Sequence, residues 1–301
     1  MSGLAESYVR CRQIHREHGR SYYLATRLLA AHQRPHVHAL YAFTRTADEI
    51  VDAASGHDVE ERQQRLEDWG VAFAAALAGN PASDPVLPAV CQTIRTYGLD
   101  LADVDAFLRS MAMDLKVTGY ATYDDLLGYM DGSAAAIGAM MLPILGVRPG
   151  ADRVAALAAA RQLGHAFQLT NFIRDVREDL ERGRIYLPET DLDRFAVSPE
   201  ILRRDAARGS TSPAVRDLIR YECRRAVGHY IAARPGLDLL PPRSALCIRT
   251  AYRLYGEILG EIVRADYDVM RGRIVVPGRR RAALLATSVA GFDARVQEWA
   301  R

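Results

Sequence analysis

Two pairs of aspartates are spaced so that they can act together. Asp48 and Asp52 close the stretch Tyr41-Ala-Phe-Thr-Arg-Thr-Ala-Asp-Glu-Ile-Val-Asp52, and Asp175 and Asp179 close Gln168-Leu-Thr-Asn-Phe-Ile-Arg-Asp-Val-Arg-Glu-Asp179. On an α-helix, at roughly 100° per residue, Tyr41, Arg45, Asp48 and Asp52 fall within about 60° of one another, with Phe43, Ala47 and Ile50 behind them. By the same arithmetic Gln168, Asn171, Asp175 and Asp179 form a seam about 80° wide, with Arg174 beside the first aspartate. A like-charge pair at this spacing costs a helix roughly 0.2–0.5 kcal/mol, so something should offset it. Facing each other across a cavity, the two stripes could hold hard divalent cations. Mg²⁺ takes carboxylate oxygens and completes its shell with water and substrate phosphate. A solvated acidic face is the competing explanation, common for one such pair and weaker for two with matching arginine, amide and phenol neighbours.

Helices must carry these residues, and the chain supplies them. Tyr8, Cys11, Ile14 and His15 have helical spacing, broken at His18-Gly19-Arg20-Ser21, where Ser21 could cap a segment running to Leu29. That basic turn is either an ordinary helix–helix turn or an anion-holding loop. Pro35 suits the first turn of the helix bearing the first seam. Further helices are expected over 58–79, 84–97, 101–116 and 122–145. The last holds a run of small residues, 132–139, which either lets helices approach closely or leaves room for an apolar ligand. After the Gly146–Gly150 turn one helix should run through the second seam to Asp179, then a loop to Pro188. Two helices over 198–233 and one over 244–271, carrying Tyr252 and Tyr255, complete the pattern. A basic segment, Arg271 to Arg281, follows. No run of alternating residues between turn signals reads as a strand, so the expected architecture is one all-α domain over 1–301 with a central cavity.

Composition narrows the class further. The chain has 301 residues, 49% apolar and 25% charged, with a formal net charge of +2. These values fit a folded globular protein and imply no general field for nucleic acid, so anion binding must come from local clusters. Cys11, Cys91, Cys223 and Cys247 show no metal or disulfide spacing and fit reduced, mostly buried thiols. The early histidines His15, His18, His32, His36 and His38 have no zinc-motif context and are expected to be neutral and on helix surfaces, His18 excepted. The start has no basic region leading into an apolar core, and no apolar run approaches the roughly 18 residues needed to span a bilayer. A cytoplasmic protein is expected, able to sit on a membrane surface.

The two seams, together with Arg182-Gly-Arg-Ile-Tyr-Leu-Pro188, carry a resemblance to the phytoene/squalene synthase family, which join two prenyl diphosphates head to head. The similarity runs from about Tyr8 to Arg281. His18-Gly-Arg-Ser-Tyr-Tyr-Leu-Ala-Thr-Arg-Leu-Leu29, Leu254-Tyr-Gly-Glu-Ile-Leu259 and Ala265-Asp-Tyr-Asp-Val-Met270 make it most similar to the bacterial phytoene synthases. The resemblance implies an isoprenoid-synthase-type helical bundle that places the acidic motifs on opposite cavity walls. It implies Mg²⁺, with Mn²⁺ as the alternative ion, at Asp48, Asp52, Asn171, Asp175 and Asp179. It implies diphosphate contacts from His18, Arg20, Ser21, Arg45, Arg174 and Arg273, and a substrate site lined by Tyr41, Gln168 and Tyr255. Ala53 departs from many relatives, which have an acidic residue there, but it lies outside the aspartate pair.

The implied reaction condenses two geranylgeranyl diphosphates to phytoene for carotenoid synthesis, through a cyclopropylcarbinyl diphosphate and without NAD(P)H. The same chemistry on farnesyl diphosphate, giving squalene or dehydrosqualene, is the first alternative. A non-catalytic assembly factor is the remote one, disfavoured because both aspartate pairs are intact. The basic tail is a solvated face, a diphosphate contact through Arg273, or an attachment to anionic lipid. Peripheral association at the inner face of the membrane and contact with downstream carotenoid enzymes would suit an insoluble hydrocarbon product.

Overall fold

Helical spacing of apolar residues, punctuated by Gly and Pro, produces helices throughout the described residues, with no strand beyond a single bridge between Gly119 and Ile185. The structure, a computed structural model, describes residues 2–52 and 58–288, and at 2, 20, 21, 287 and 288 the backbone alone. Ala53 and the end of the basic tail lie outside the described residues.

In chain order the helices are α1 (Ser2–His18), α2 (Arg20–Thr26), α3 (Arg34–Asp52), α4 (Val59–Leu77), α5 (Leu87–Tyr97), α6 (Leu101–Met113) and α7 (Tyr123–Met130). Then come α8 (Ala136–Leu145), α9 (Arg153–Glu181), α10 (Glu189–Arg194), α11 (Pro199–Arg208), α12 (Pro213–Ala233), α13 (Pro242–Arg264) and α14 (Gly278–Ser288). The all-α expectation is borne out. Several boundaries differ, each for a local reason.

The stretch expected as one helix over 122–145 is interrupted by a π-helical turn, Asp131–Ala135. At Gly132 a Cβ would lie 2.1 Å from Ser110 Oγ and 2.3 Å from the Ala106 carbonyl, so this turn is pressed against α6. The helix expected over 244–271 ends at Arg264, because Asp266 and Tyr267 take left-handed φ values of 52° and 58°. Asp268, just beyond, accepts hydrogen bonds from the Thr211 amide and hydroxyl. The basic segment is itself partly helical, in α14. Ser21 is not a cap: α2 starts one residue earlier, after Gly19, and ends at Thr26.

The long helix α9 organises the rest. Asp152 caps its start, accepting from the amides of Val154 and Ala155, an interaction typically worth about 1 kcal/mol. Two glycines let its neighbours approach its backbone. A Cβ at Gly138 would meet the Ala160 carbonyl at 2.3 Å, and one at Gly164 would meet the Ala134 carbonyl at 2.4 Å. Thus the small residues over 132–139 do bring helices together. The two main apolar clusters lie on either side, one around α9, α12 and α13 and the other around α1, α3 and α5, with Phe167 and Ile248 packed against both. All four cysteines are free and buried.

Candidate active site

The back of α3 fixes the direction of its polar seam. Phe43 is 1% exposed and packs against Trp69, Phe73 and Phe107 at ring distances of 4.9–5.8 Å. Burial of that face leaves Tyr41, Arg45, Asp48 and Asp52 on the other. On α9, Phe172, Ile173 and Val176 are buried in the same way, turning Gln168, Asn171, Asp175 and Asp179 away from the core they anchor.

Between these helices lies an apolar cavity of about 320 Å³. Tyr41 and Thr44 line it from α3, Gln168 and Asn171 from α9, and Tyr255 from α13. The acidic pairs therefore begin one turn beyond the cavity's polar end on two helices that both border it. The small-residue stretch also contributes wall through Ser133, Ala134 and Gly138, so both readings of that stretch apply together.

Arginines hold the carboxylates. Arg45 donates to Asp48 at 2.6 Å and to Glu49 at 2.9 Å. Arg174 grips Asp175 with two donors, and Arg273 reaches the same carboxylate at 3.2 Å and Glu178 at 3.7 Å. Asp52 accepts from Arg182 and Arg184, each at 3.0 Å. These pairs offset the repulsion that the i,i+4 aspartates impose. The offset is incomplete: burial, then the neighbouring Asp175, push Asp179 up to about 7. Burial, then Asp52, likewise raise Asp48 above the usual carboxylate range.

The donor set suits a hard cation. Aspartate oxygens lie on both helices, and Asn171 Oδ1 is buried at the cavity wall without a hydrogen-bond partner. Among the described residues no three carboxylates or imidazoles converge on one point.

Other expected residues are placed less centrally. His18 Nε2 lies 3.6 Å from Glu49 Oε1, next to the Arg45 cluster and not in the cavity lining. The side chains of Arg20 and Ser21 lie outside the described residues. His15 and His38 correct the surface expectation. They are 1% and 6% exposed and joined by an Nδ1–Nδ1 hydrogen bond of 2.9 Å. Burial pushes them down to about 3 and about 4, so both are neutral. His15 also stacks on Tyr41 at 4.1 Å.

Three residues without a role assigned from the sequence join the site. Tyr22 stacks on Tyr255 at 4.7 Å and lines the cavity. Its signals were adjacency to the His18–Ser21 turn and a place in the His18–Leu29 stretch that carries the family resemblance. Asp114 accepts from Tyr129 at 2.7 Å and Tyr186 at 3.1 Å, and burial pushes it up to about 6. Arg184 donates to the Asp114 carbonyl at 3.1 Å as well as to Asp52. No local pattern marks Asp114, because its partners are up to 72 residues away.

The sequence profile of the squalene/phytoene synthase family matches residues 15–280. The chain belongs to this family. This squalene/phytoene synthase family member is 33% identical over 310 residues to the phytoene synthase of Arthrospira platensis, covering 97% of this chain and 94% of the relative. It is 32% identical over 286 residues to phytoene synthase 3, chloroplastic, of Zea mays, covering 94% of this chain. The chain spans 65% of the length of that plant protein. Among solved structures, a dehydrosqualene synthase in complex with a ligand is similar over 95% of this chain and 96% of its own, at a TM-score of 0.84 and 26% identity.

Proposed function

We propose that this family member is a phytoene synthase that condenses two geranylgeranyl diphosphates head to head with Mg²⁺ bound. The observation that carries the reading is the pair of arginine-held Asp-x-x-x-Asp stripes beginning at one end of an apolar cavity. Similarity to phytoene synthases over nearly the whole chain supports the same product class.

In this reading Asp48, Asp52, Asn171, Asp175 and Asp179 hold Mg²⁺, with Mn²⁺ as a substitute. The ion, when bound, neutralises the diphosphate leaving group. Arg45, Arg174, Arg273 and the His18–Ser21 turn bind and orient the diphosphates, arginine being suited to bidentate contact with phosphate oxygens. Breaking the allylic C–O bond releases diphosphate and leaves a carbocation, which the second substrate's double bond attacks; the ring closes to a cyclopropylcarbinyl diphosphate as a proton passes to the released diphosphate. Loss of the second diphosphate and rearrangement then join the two C1 carbons, and loss of a proton from the resulting cation to that diphosphate leaves a central double bond. Tyr41, Tyr22 and Tyr255 present aromatic faces that can each stabilise a cation by roughly 0.5–2 kcal/mol. The apolar walls exclude the water that would quench it. Gln168 completes the polar end of the substrate site. No NAD(P)H is required.

The dehydrosqualene synthase of similar structure favours a second reading, the same chemistry on farnesyl diphosphate. Incubating the purified protein and Mg²⁺ with each diphosphate separately, then identifying hydrocarbons by mass, distinguishes them. A C40 product supports the first reading and a C30 product the second. No product from either substrate favours the non-catalytic relative. Among the described residues no helix is long and apolar enough to cross a membrane. Delivery of an insoluble product suits peripheral attachment through the basic tail, where Arg271, Arg279 and Arg281 are exposed. Co-sedimentation with anionic vesicles tests that attachment, and enzymes that take up the hydrocarbon would act beside it.

A further inference from the structure

The cavity follows one face of α9. Asn171, Gln168, Gly164, Ala160 and Ala156 all line it, recurring at three- and four-residue intervals. With a rise of 1.5 Å per residue, Ala160 lies ~16 Å along the helix from Asn171, and Ala156 ~22 Å. An extended isoprene unit adds four chain bonds of ~1.5 Å, which project to about 5 Å along the chain. One unit therefore matches about one helical turn. Three units reach about 15 Å, level with Ala160, and four reach about 20 Å, level with Ala156.

The far end is walled by small and apolar residues. Ala156 and Ala159 are 2% and 9% exposed, and a Cβ on Gly236 would lie 2.2 Å from Ala159 Cβ. Any larger residue at 236 would thus press on this floor. Ala160 packs with Leu142, Ala156, Leu240 and Ala245, and the first three of these line the cavity at this end.

We infer that α9 is a ruler for one of the two prenyl tails, and that the small residues Ala156, Ala159 and Gly236 beyond Ala160 make the room for a fourth isoprene unit. The inference rests on the proposed prenyl diphosphate chemistry and adds to it the residues that select a C20 over a C15 chain. A side chain filling the space at position 160 leaves a channel of three-unit length. The polar end is then untouched.

The test uses the full chain with Mg²⁺ and compares kcat/KM for C20 and C15 diphosphates in the parent, Ala160→Phe and Ala160→Leu. Val154→Phe, on the same helix but 78% exposed, is the control and should match the parent. The C20-to-C15 ratio should fall on the order of 100-fold in Ala160→Phe, and by less in Ala160→Leu, with C30 product still formed. Melting-temperature shifts with non-ionisable thiodiphosphate analogues of both lengths give a readout independent of turnover. An unchanged ratio in a folded Ala160 variant, or equal loss of both substrates, overturns the ruler. If Ala160→Phe does not fold, the ratio in Ala160→Leu decides in the same way. A parent that prefers C15 also overturns the ruler while leaving the family chemistry standing. A parent that turns over neither length, yet is stabilised more by the C20 analogue unless position 160 is filled, supports the ruler and defeats the proposed function.

Discussion

Arg184 donates to Asp52 at 3.0 Å across 132 residues of chain, from the loop after α9 to the last residue of α3. The same guanidinium donates to the backbone carbonyl of Asp114, so three separate segments meet on one half-hidden cation. This cross-tie sets how far apart the ends of the two acidic helices sit.

Removing it should cost both stability and turnover. Arg184→Ala leaves Asp52 with Arg182 alone, whose side chain is 56% exposed. Charge-assisted hydrogen bonds contribute roughly 1.5–3 kcal/mol, so a loss of about 2 kcal/mol in denaturant unfolding is expected. A double-mutant cycle with Asp52→Asn should show coupling of at least about 0.5 kcal/mol. Strict additivity would mean the contact is energetically idle.

Asp48 and Asp175 should matter more for chemistry than for folding. Asp48→Asn and Asp175→Asn keep size and shape while removing charge. Each is expected to lower kcat by about 100-fold or more, by analogy with loss of one transition-state charge contact. Circular dichroism should show the parent fold in both, with a lowered melting temperature in Asp175→Asn, which takes the charged partner from the largely buried Arg174. Full activity in either variant would remove these residues from the proposed metal site.

Buried histidines give a pH dependence with a definite sign. His15 and His38 titrate near 6.5 when unfolded and are held at about 3 and about 4 in the fold. Between those values the unfolded chain binds more protons, so stability falls as pH drops below about 6.5. Each histidine contributes a slope of up to about 1.4 kcal/mol per pH unit. His38→Phe should therefore lose less stability than the parent between pH 6 and pH 4. Parallel stability curves for the two proteins over that window would contradict the neutral-pair assignment.

Gly138 on α8 and Gly164 on α9 should behave differently from Gly128 on α7. Gly138→Ala and Gly164→Ala drive a methyl into a backbone carbonyl 2.3–2.4 Å away, and overpacking of this kind typically costs 1–3 kcal/mol, about that expected here. Gly128→Ala, in α7 with nothing within 4 Å, should instead be neutral or stabilising by about 0.4–1 kcal/mol. Thermal melts of the three variants check both halves at once.

Much of the helical plan was legible because helix formation is read from residues three and four apart. The seams on α3 and α9 were visible for that reason, and the buried faces of Phe43 and Phe172 then oriented them. The breaks were harder. The π-helical turn at Asp131–Ala135 answers to α6, and the early end of α13 is held by Thr211, neither of which is near in sequence. His15 and His38 read as surface residues because 23 positions separate them, and their mutual hydrogen bond exists only once α1 lies on α3.

By itself, then, the sequence determined the all-α class, the two acidic stripes, their arginine neighbours and the family motifs, all of which depend on spacing within a few turns. Tertiary structure alone decided which arginine meets which aspartate, that Asp114 gathers Tyr129 and Tyr186, and that the cavity runs four turns down α9 to Ala156. Those are distances between segments, set by how closely Gly138 and Gly164 let the helices pack. A linear chain holds the residues for such contacts but not the separations.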